Sequence, residues 1–215
     1  VTRKTLSRLA TFAFLALASK ALAVKEPVSE APKPTALAIG APAPSIDVKM
    51  TGVDGKATSI ADAKGAKGTL VLFTCNHCPF VKKWQDRIVA IGNDALGKGI
   101  GVIAVNANDP GAVPEDGLDG MKQLATAKGY KFAYVVDAGS SVARAFGAGR
   151  TPEAFLIDAD SKLVYHGAVD DNVEDAAGVQ AHWLSDAVKA LAAGEPIAVK
   201  ETKALGCSIK FASQS

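Results

Sequence analysis

Thr69-Leu70-Val71-Leu72-Phe73-Thr74-Cys75-Asn76-His77-Cys78-Pro79-Phe80 decides how this chain is read. An apolar, β-branched run leads straight into two thiols separated by two residues. Pro79 then opens an amphipathic helical pattern with Val81, Trp84, Ile88 and Ile91 on one face. The spacing predicts a buried strand over 69–74 and places both thiols on the first turn of a helix. Unsatisfied N–H groups and partial positive charge at a helix N-terminus favour a thiolate, expected at Cys75. Cys78 is then close enough to form a disulfide with Cys75 and release a bound partner.

Three rival readings of the motif are weaker. A structural zinc site wants a second ligand pair, and only Cys207, His166 and His182 remain, singly and far along the chain. A c-type haem attachment needs His directly after the second Cys, where this chain has Pro79. A structural disulfide between residues three apart would brace almost nothing. Redox chemistry is the leading reading, without organic cofactor or resident metal. Carriage of Cu(I) by Cys75, Cys78 and His77 is the rival from another class, because soft thiolates select that ion.

Outward from the motif the elements alternate. Ile100–Val105 is a second apolar strand, and 106–119 is a long loop with two prolines. Met121, Leu124 and Ala125 mark a helix ending near Gly129. Phe132–Val136 reads as a strand, and Val142–Phe146 as a short helix capped by Ser140 or Ser141. Glu153–Ile157 and Leu163–His166 form a hairpin across 158–161. A last helix carries Leu184, Ala187, Val188 and Leu191 on one stripe, with Gly194 and Pro196 as its stop. Ahead of the motif, Ile46 with Val48 and then Ala57–Ile60 flank the turn Gly52-Val53-Asp54-Gly55, a β-hairpin. The order predicts an α/β fold, a central mixed sheet with helices on both faces and an N-terminal hairpin extension. Short, fully apolar strands suit a sheet covered on both sides.

With Thr151-Pro152 standing before a strand that begins a hairpin, this arrangement resembles the thioredoxin fold. The hairpin and the 106–119 loop are similar to redoxins grouped with the alkyl hydroperoxide reductase and thiol-specific antioxidant proteins. Asn106-Ala107-Asn108-Asp109, Thr151-Pro152-Glu153, Asp170-Asp171-Asn172 and Gly206-Cys207-Ser208-Ile209-Lys210 resemble, more narrowly, the peroxiredoxin-like thioredoxin-domain proteins. The similarity spans about 37–211. It implies a cis Pro152 packed against the Cys75–Cys78 pair, with the backbone of Arg150 and Thr151 free to pair with an extended partner strand.

The chain also departs from those patterns. The Thr and Pro that bind peroxide in true peroxiredoxins are absent, with Leu72 three residues before Cys75, so the resemblance does not carry peroxidase activity with it. Thr69 stands where thioredoxins have a buried Asp, Thr74 where they have Trp, and Arg150 where relatives have Cys.

Cys75 is expected to be the nucleophile, at the exposed end of the motif, and Cys78 the resolving thiol, screened by the helix. His77 either is partly protonated and favours the Cys75 thiolate, hence a more oxidising disulfide, or is an exposed bystander. Arg150 either pushes the same way beside Pro152 or is a solvated loop charge. Cys207 either reaches back to exchange with the pair, or docks with a partner, or has no redox role. His166 and His182 read as surface or packing residues, Asp158, Asp160, Asp170 and Asp171 as turn residues, and Trp84 and Trp183 as core-facing.

Arg3, Lys4 and Arg8, an apolar run over 9–18 and Ala21-Leu22-Ala23 have the form of a secretory signal peptide over 1–23. The run is too short to span a bilayer, which needs roughly 20 residues. A Pro-rich linker over 24–36, a redoxin domain over 37–194 and a polar tail over 195–215 carrying Cys207 complete the expected organisation. The leader takes four of the 24 basic residues and none of the 22 acidic ones, leaving a slightly acidic remainder with nothing to suggest nucleic-acid binding. The expected activity is thiol–disulfide exchange with protein or small-molecule partners, in the periplasm or outside the cell. Thiol-dependent peroxide reduction is the alternative.

Overall fold

The structure is a computed structural model that describes Val1 and residues 35–213. The expected leader, apart from Val1, and the expected linker up to residue 34 lie outside the described residues.

The strands are β1 (Met50–Gly52), β2 (Ala57–Thr58), β3 (Gly68–Phe73), β4 (Ile100–Asn106), β5 (Ala133–Val136), β6 (Arg150–Thr151), β7 (Glu153–Asp158), β8 (Leu163–Gly167) and β9 (Cys207–Ser208). The helices are α1 (Pro79–Gly97), α2 (Leu118–Lys128), α3 (Ser141–Phe146) and α4 (Trp183–Ala193), with a 3-10 turn at Pro114–Asp116. β4 and β5 run parallel, whereas β1, β3, β7 and β8 form antiparallel pairs, so the sheet is mixed. β3 lies against β4, and the Thr74 amide donates to Val105 O at 2.9 Å.

The two faces follow strand parity. Leu70, Leu72, Ala154 and Leu156 face α1, α2 and α4, where Trp84, Ile88, Met121, Leu184 and Val188 complete one core. Val71, Phe73, Phe155 and Ile157 face the opposite side, against Val142, Ala143 and Phe146 of α3. β3 is buried along its whole length because both faces are covered. Trp84 is fully buried, and Trp183 is half-buried against the same core.

Several expectations need correction. The first strand of the N-terminal hairpin lies at 50–52, not around Ile46 and Val48. Residues 45–48 turn instead, with Ser45 in the left-handed region and Val48 exposed. The hairpin also joins the main sheet, through β1 and β5. Ser140 does not cap α3, since its hydroxyl donates to Ala107 O at 2.7 Å. The Asp137 carboxylate accepts from the Ala143 amide in its place.

Asp170 is more than a turn residue. Buried, it accepts from Trp84 Nε1 at 2.8 Å and Arg87 Nη1 at 2.6 Å. The C-terminal residues are likewise not a separate tail. Ile197 and Ile209 are buried, and the chain around Lys200–Thr202 bonds to the backbone of His166.

Candidate functional site

Cys78 immediately precedes α1, with extended backbone, and Pro79 is the first helical residue. The helix N-terminus therefore falls on Cys78, with Cys75 three residues earlier. This corrects the expectation that places Cys75 there. Cys75 is not the exposed end either, because both thiols are completely buried. Val81 packs with them, and Phe80 and Cys207 cover them in part. All three cysteines are thiols in this structure.

The Thr151–Pro152 peptide is cis, and Thr151 bridges the two sulfurs. Its hydroxyl lies 3.2 Å from Cys75 Sγ, and its carbonyl accepts from the Cys78 thiol at 3.1 Å. Glu153 fixes this corner from below. One carboxylate oxygen accepts from the Gly149 and Arg150 amides at 2.8 and 2.9 Å, and the other meets His166 Nε2 at 2.7 Å. His166 is thus a buried packing residue, while His182 is exposed.

The loop after β4 brings in Asp116, which is missed in the sequence. Its buried carboxylate accepts from the Asn76 amide at 2.7 Å and the His77 amide at 3.2 Å. It also meets His77 Nδ1 at 2.7 Å and accepts from Asn108 Nδ2 at 2.7 Å. Asn106 Nδ2 donates to the Asp116 backbone carbonyl at 2.8 Å, so the Asn106–Asn108 motif is what seats this carboxylate. A ring nitrogen of His77, an Asp116 oxygen and Cys75 Sγ lie within 4.8 Å of one another. The imidazole does not act on Cys75 alone, since it is paired with a carboxylate.

These surroundings divide the charge between the thiols. Cys78 is pulled below the ordinary thiol value, first by the Cys75 thiol, then by the Cys207 thiol and the Val81 and Cys207 amides, against the pull of burial. Cys75 is pushed the other way, first by donating to Cys78 and then by burial, with the Asp116 charge adding to the rise. Of the two thiols, Cys78 is therefore the one whose charge these surroundings favour.

The C-terminal segment completes the site. β9 pairs antiparallel with β6, with Arg150 opposite Ser208 and Thr151 opposite Cys207. Gly206 is required by close approach, because a Cβ there would sit 2.1 Å from Thr151 O. Arg150 Nη1 donates to Gly206 O at 2.8 Å, so this guanidinium is committed to the tail and not to Cys75. Beyond Cys207, the Ile209 amide donates to Gly149 O at 3.1 Å and the Lys210 amide to Asn108 Oδ1 at 2.7 Å. Of the residues singled out in sequence, Cys75, Cys78, Thr151, Pro152 and Cys207 converge here. His77 joins them through Asp116, and Arg150 through the tail.

Residues 38–181 match the family model for Redoxin. The chain belongs to the Redoxin family. The thiol-disulfide oxidoreductase ResA of Bacillus thuringiensis (strain Al Hakam) is 29% identical over 126 residues, covering 59% of this chain and 67% of that protein. An uncharacterized conserved protein from Geobacillus kaustophilus is 37% identical in sequence, with a TM-score of 0.77 over 83% of this redoxin and 94% of that chain. The thioredoxin domain of a thiol-disulfide oxidoreductase from Bacteroides vulgatus, 22% identical, shares the fold, with a TM-score of 0.50 over 61% of this chain and 89% of that one. The fold here is thioredoxin-like, and peroxidoxin BcpB from Mycobacterium tuberculosis, 14% identical, shares it with a TM-score of 0.54.

Proposed function

We propose that this redoxin is an exported thiol–disulfide oxidoreductase whose working couple is Cys75 and Cys78. The observation that carries the reading is the contact of both sulfurs with Thr151, beside the cis peptide to Pro152. A thiolate at either sulfur faces the partner that would close the ring, which is the geometry thiol exchange needs. Cys75 gives its proton to Cys78 and attacks a partner disulfide: the partner S–S bond breaks, one partner sulfur becomes joined to Cys75, and the other leaves as a thiolate that takes the proton from Cys78. Cys78 then attacks Cys75 Sγ, the Cys75–Cys78 bond forms, and the partner sulfur leaves as a thiolate. The reverse sequence oxidises a dithiol. Partners are protein or low-molecular-weight thiols and disulfides, and the leader-like start supports a periplasmic or secreted location.

Reduction of insulin disulfides by the full chain tests the reading. Activity is expected in the wild type and lost in both Cys75→Ser and Cys78→Ser. Equal activity in either variant overturns it. Peroxide reduction has less support, because the Thr and Pro that would bind peroxide are absent. Rapid consumption of hydrogen peroxide at Cys75, ahead of any disulfide exchange, would favour it.

The grouping of Cys75, His77 and Asp116 supports a second reading, Cu(I) carriage. The thiols suit that ion, but the Asp116 carboxylate is a hard ligand already saturated with hydrogen bonds. Stoichiometric copper kept through purification, with no disulfide reduction, would favour this reading.

A further inference from the structure

The strand edge at Arg150–Thr151, where an extended partner would pair beside the thiols, is already filled by the chain's own residues 206–209. Three features show a fitted strand. Cys207 lies in register with Thr151, Gly206 clears the Thr151 carbonyl, and Arg150 holds the Gly206 carbonyl. Ile209 anchors the segment in the core. The only half-buried sulfur of the three is the one carried on this strand.

We propose that residues 206–209 are a tethered substrate strand and that Cys207 is a third redox thiol exchanging with Cys78. This rests on the reading of Cys75 and Cys78 as the working couple. In the oxidised form, the Cys207 thiolate attacks Cys78 Sγ. The Cys75–Cys78 bond breaks, the Cys78–Cys207 bond forms, and the electron pair leaves on Cys75 as a thiolate. The proton given up by Cys207 passes to solvent or to Cys75. One disulfide is present before and after, so no outside oxidant or reductant is consumed. Cys207 is oxidised and Cys75 reduced.

The contacts of the thiols explain why Cys78 is the sulfur attacked. Cys207 packs against the cluster of Cys75, Cys78 and Val81, its thiol and amide lie on the Cys78 side, and the Thr151 hydroxyl stands at Cys75 Sγ. The exchange clamps the tail over the site and frees Cys75. An incoming partner must displace this strand to pair with β6, so the tail competes with partners for one edge.

Full-length protein equilibrated in a buffer of about 0.1 mM reduced and about 0.1 mM oxidised glutathione, blocked with N-ethylmaleimide and digested with trypsin, tests the proposal. Cys75 and Cys78 fall on the tryptic peptide 68–82 and Cys207 on 204–210, so the new bond joins two peptides. In Cys75→Ser the cross-linked pair is expected to exceed the Cys78–glutathione adduct about tenfold, as an effective thiol concentration of about 1 mM requires. The monomer fraction of partly oxidised wild type is expected to contain the same cross-link, a measurement that needs no variant to fold. A glutathione adduct on Cys78 with Cys207 free, or Cys207 joined only between copies, overturns the proposal. Insulin reduction by a portion of the same wild-type preparation, taken before blocking and digestion, separates the two claims. Activity without the cross-link sinks the third thiol alone, and the cross-link without activity sinks the underlying oxidoreductase reading.

Discussion

Cys207 stands opposite Thr151 in antiparallel register, so the third sulfur of the chain rides on the strand that covers the other two. Thr151 reaches Cys75 with its hydroxyl and Cys78 with its carbonyl. One residue of β6 therefore touches both thiols with its own atoms and pairs with the segment that hides them. Access to the couple is controlled by whatever occupies that edge.

Loosening the tail should open the site. Arg150 is half-buried and gives one charged hydrogen bond to Gly206 O. A bond to a charged group contributes about 1.5–3 kcal/mol when buried and less with partial exposure. Taking about 1 kcal/mol, Arg150→Ala should raise the reaction rate of the buried thiols with an aromatic disulfide reagent about fivefold. Gly206→Val should raise it further, because the added side chain meets the Thr151 carbonyl. Unchanged rates in both variants would mean that thiol access does not depend on tail opening.

The division of charge between the thiols predicts a particular titration. With Cys78 below the ordinary thiol value of 9.0 and Cys75 above it, absorbance at 240 nm should report one thiolate per pair well below pH 9 and no second step near it. Cys78→Ser should abolish the early step. For stability, the depressed group contributes fully above the unfolded value and loses that contribution as pH falls through its folded value. The raised Cys75 works oppositely, since above pH 9 the unfolded state releases a proton that the folded state keeps. The pair should therefore favour folding most near pH 9 and less on either side. Stability measured across pH in wild type and in the double serine variant gives the difference directly.

Asp116 should matter to the potential as much as to the fold. Its charge raises Cys75, and it fixes His77 and two loop amides. Asp116→Asn keeps one acceptor and removes the charge, so the Cys75 thiolate should become easier to form. A more stable reduced form makes the disulfide more oxidising. A redox titration against glutathione should show the variant couple shifted to the oxidising side, at a stability cost of about 1–3 kcal/mol from imperfectly satisfied groups. A shift to the reducing side would refute the electrostatic role.

Local periodicity made most of this fold legible. The parity of Leu70, Val71, Leu72 and Phe73 and the stripe Val81, Trp84, Ile88 are fixed by short-range pattern, and the structure places them accordingly. What the sequence concealed depends on single-residue placement or on long-range pairing. One position separates a helix N-terminus on Cys78 from one on Cys75, and Pro79, favoured as the first helical residue, was the available signal. Asp116 carries no local mark, because the residues it binds come from the Cys75–Cys78 loop and the end of β4. Gly206 before Cys207 was the only hint of a strand lying close on another backbone.

The Asp170 cluster should behave as structure and not as chemistry. Its carboxylate accepts from the Trp84 indole, Arg87 and the Asn172 amide. Asp170→Ala strands the buried indole N–H and removes the partner of a mostly buried guanidinium. Breaking such a pair costs about 3–5 kcal/mol. The Arg87 side chain keeps some solvent, at 19% exposure, and still donates to the Asn172 and Val173 carbonyls, so the loss should fall near the lower end. With a slope of about 2 kcal/mol per molar urea, the unfolding midpoint should drop by about 1.5 M. Asp170→Asn should cost less, because the amide oxygen still accepts from Trp84. Since Asp170 contacts neither thiol, folded Asp170→Asn protein should keep its thiol exchange rate. A lost rate with an unchanged midpoint would reverse this assignment and place the residue in the redox machinery.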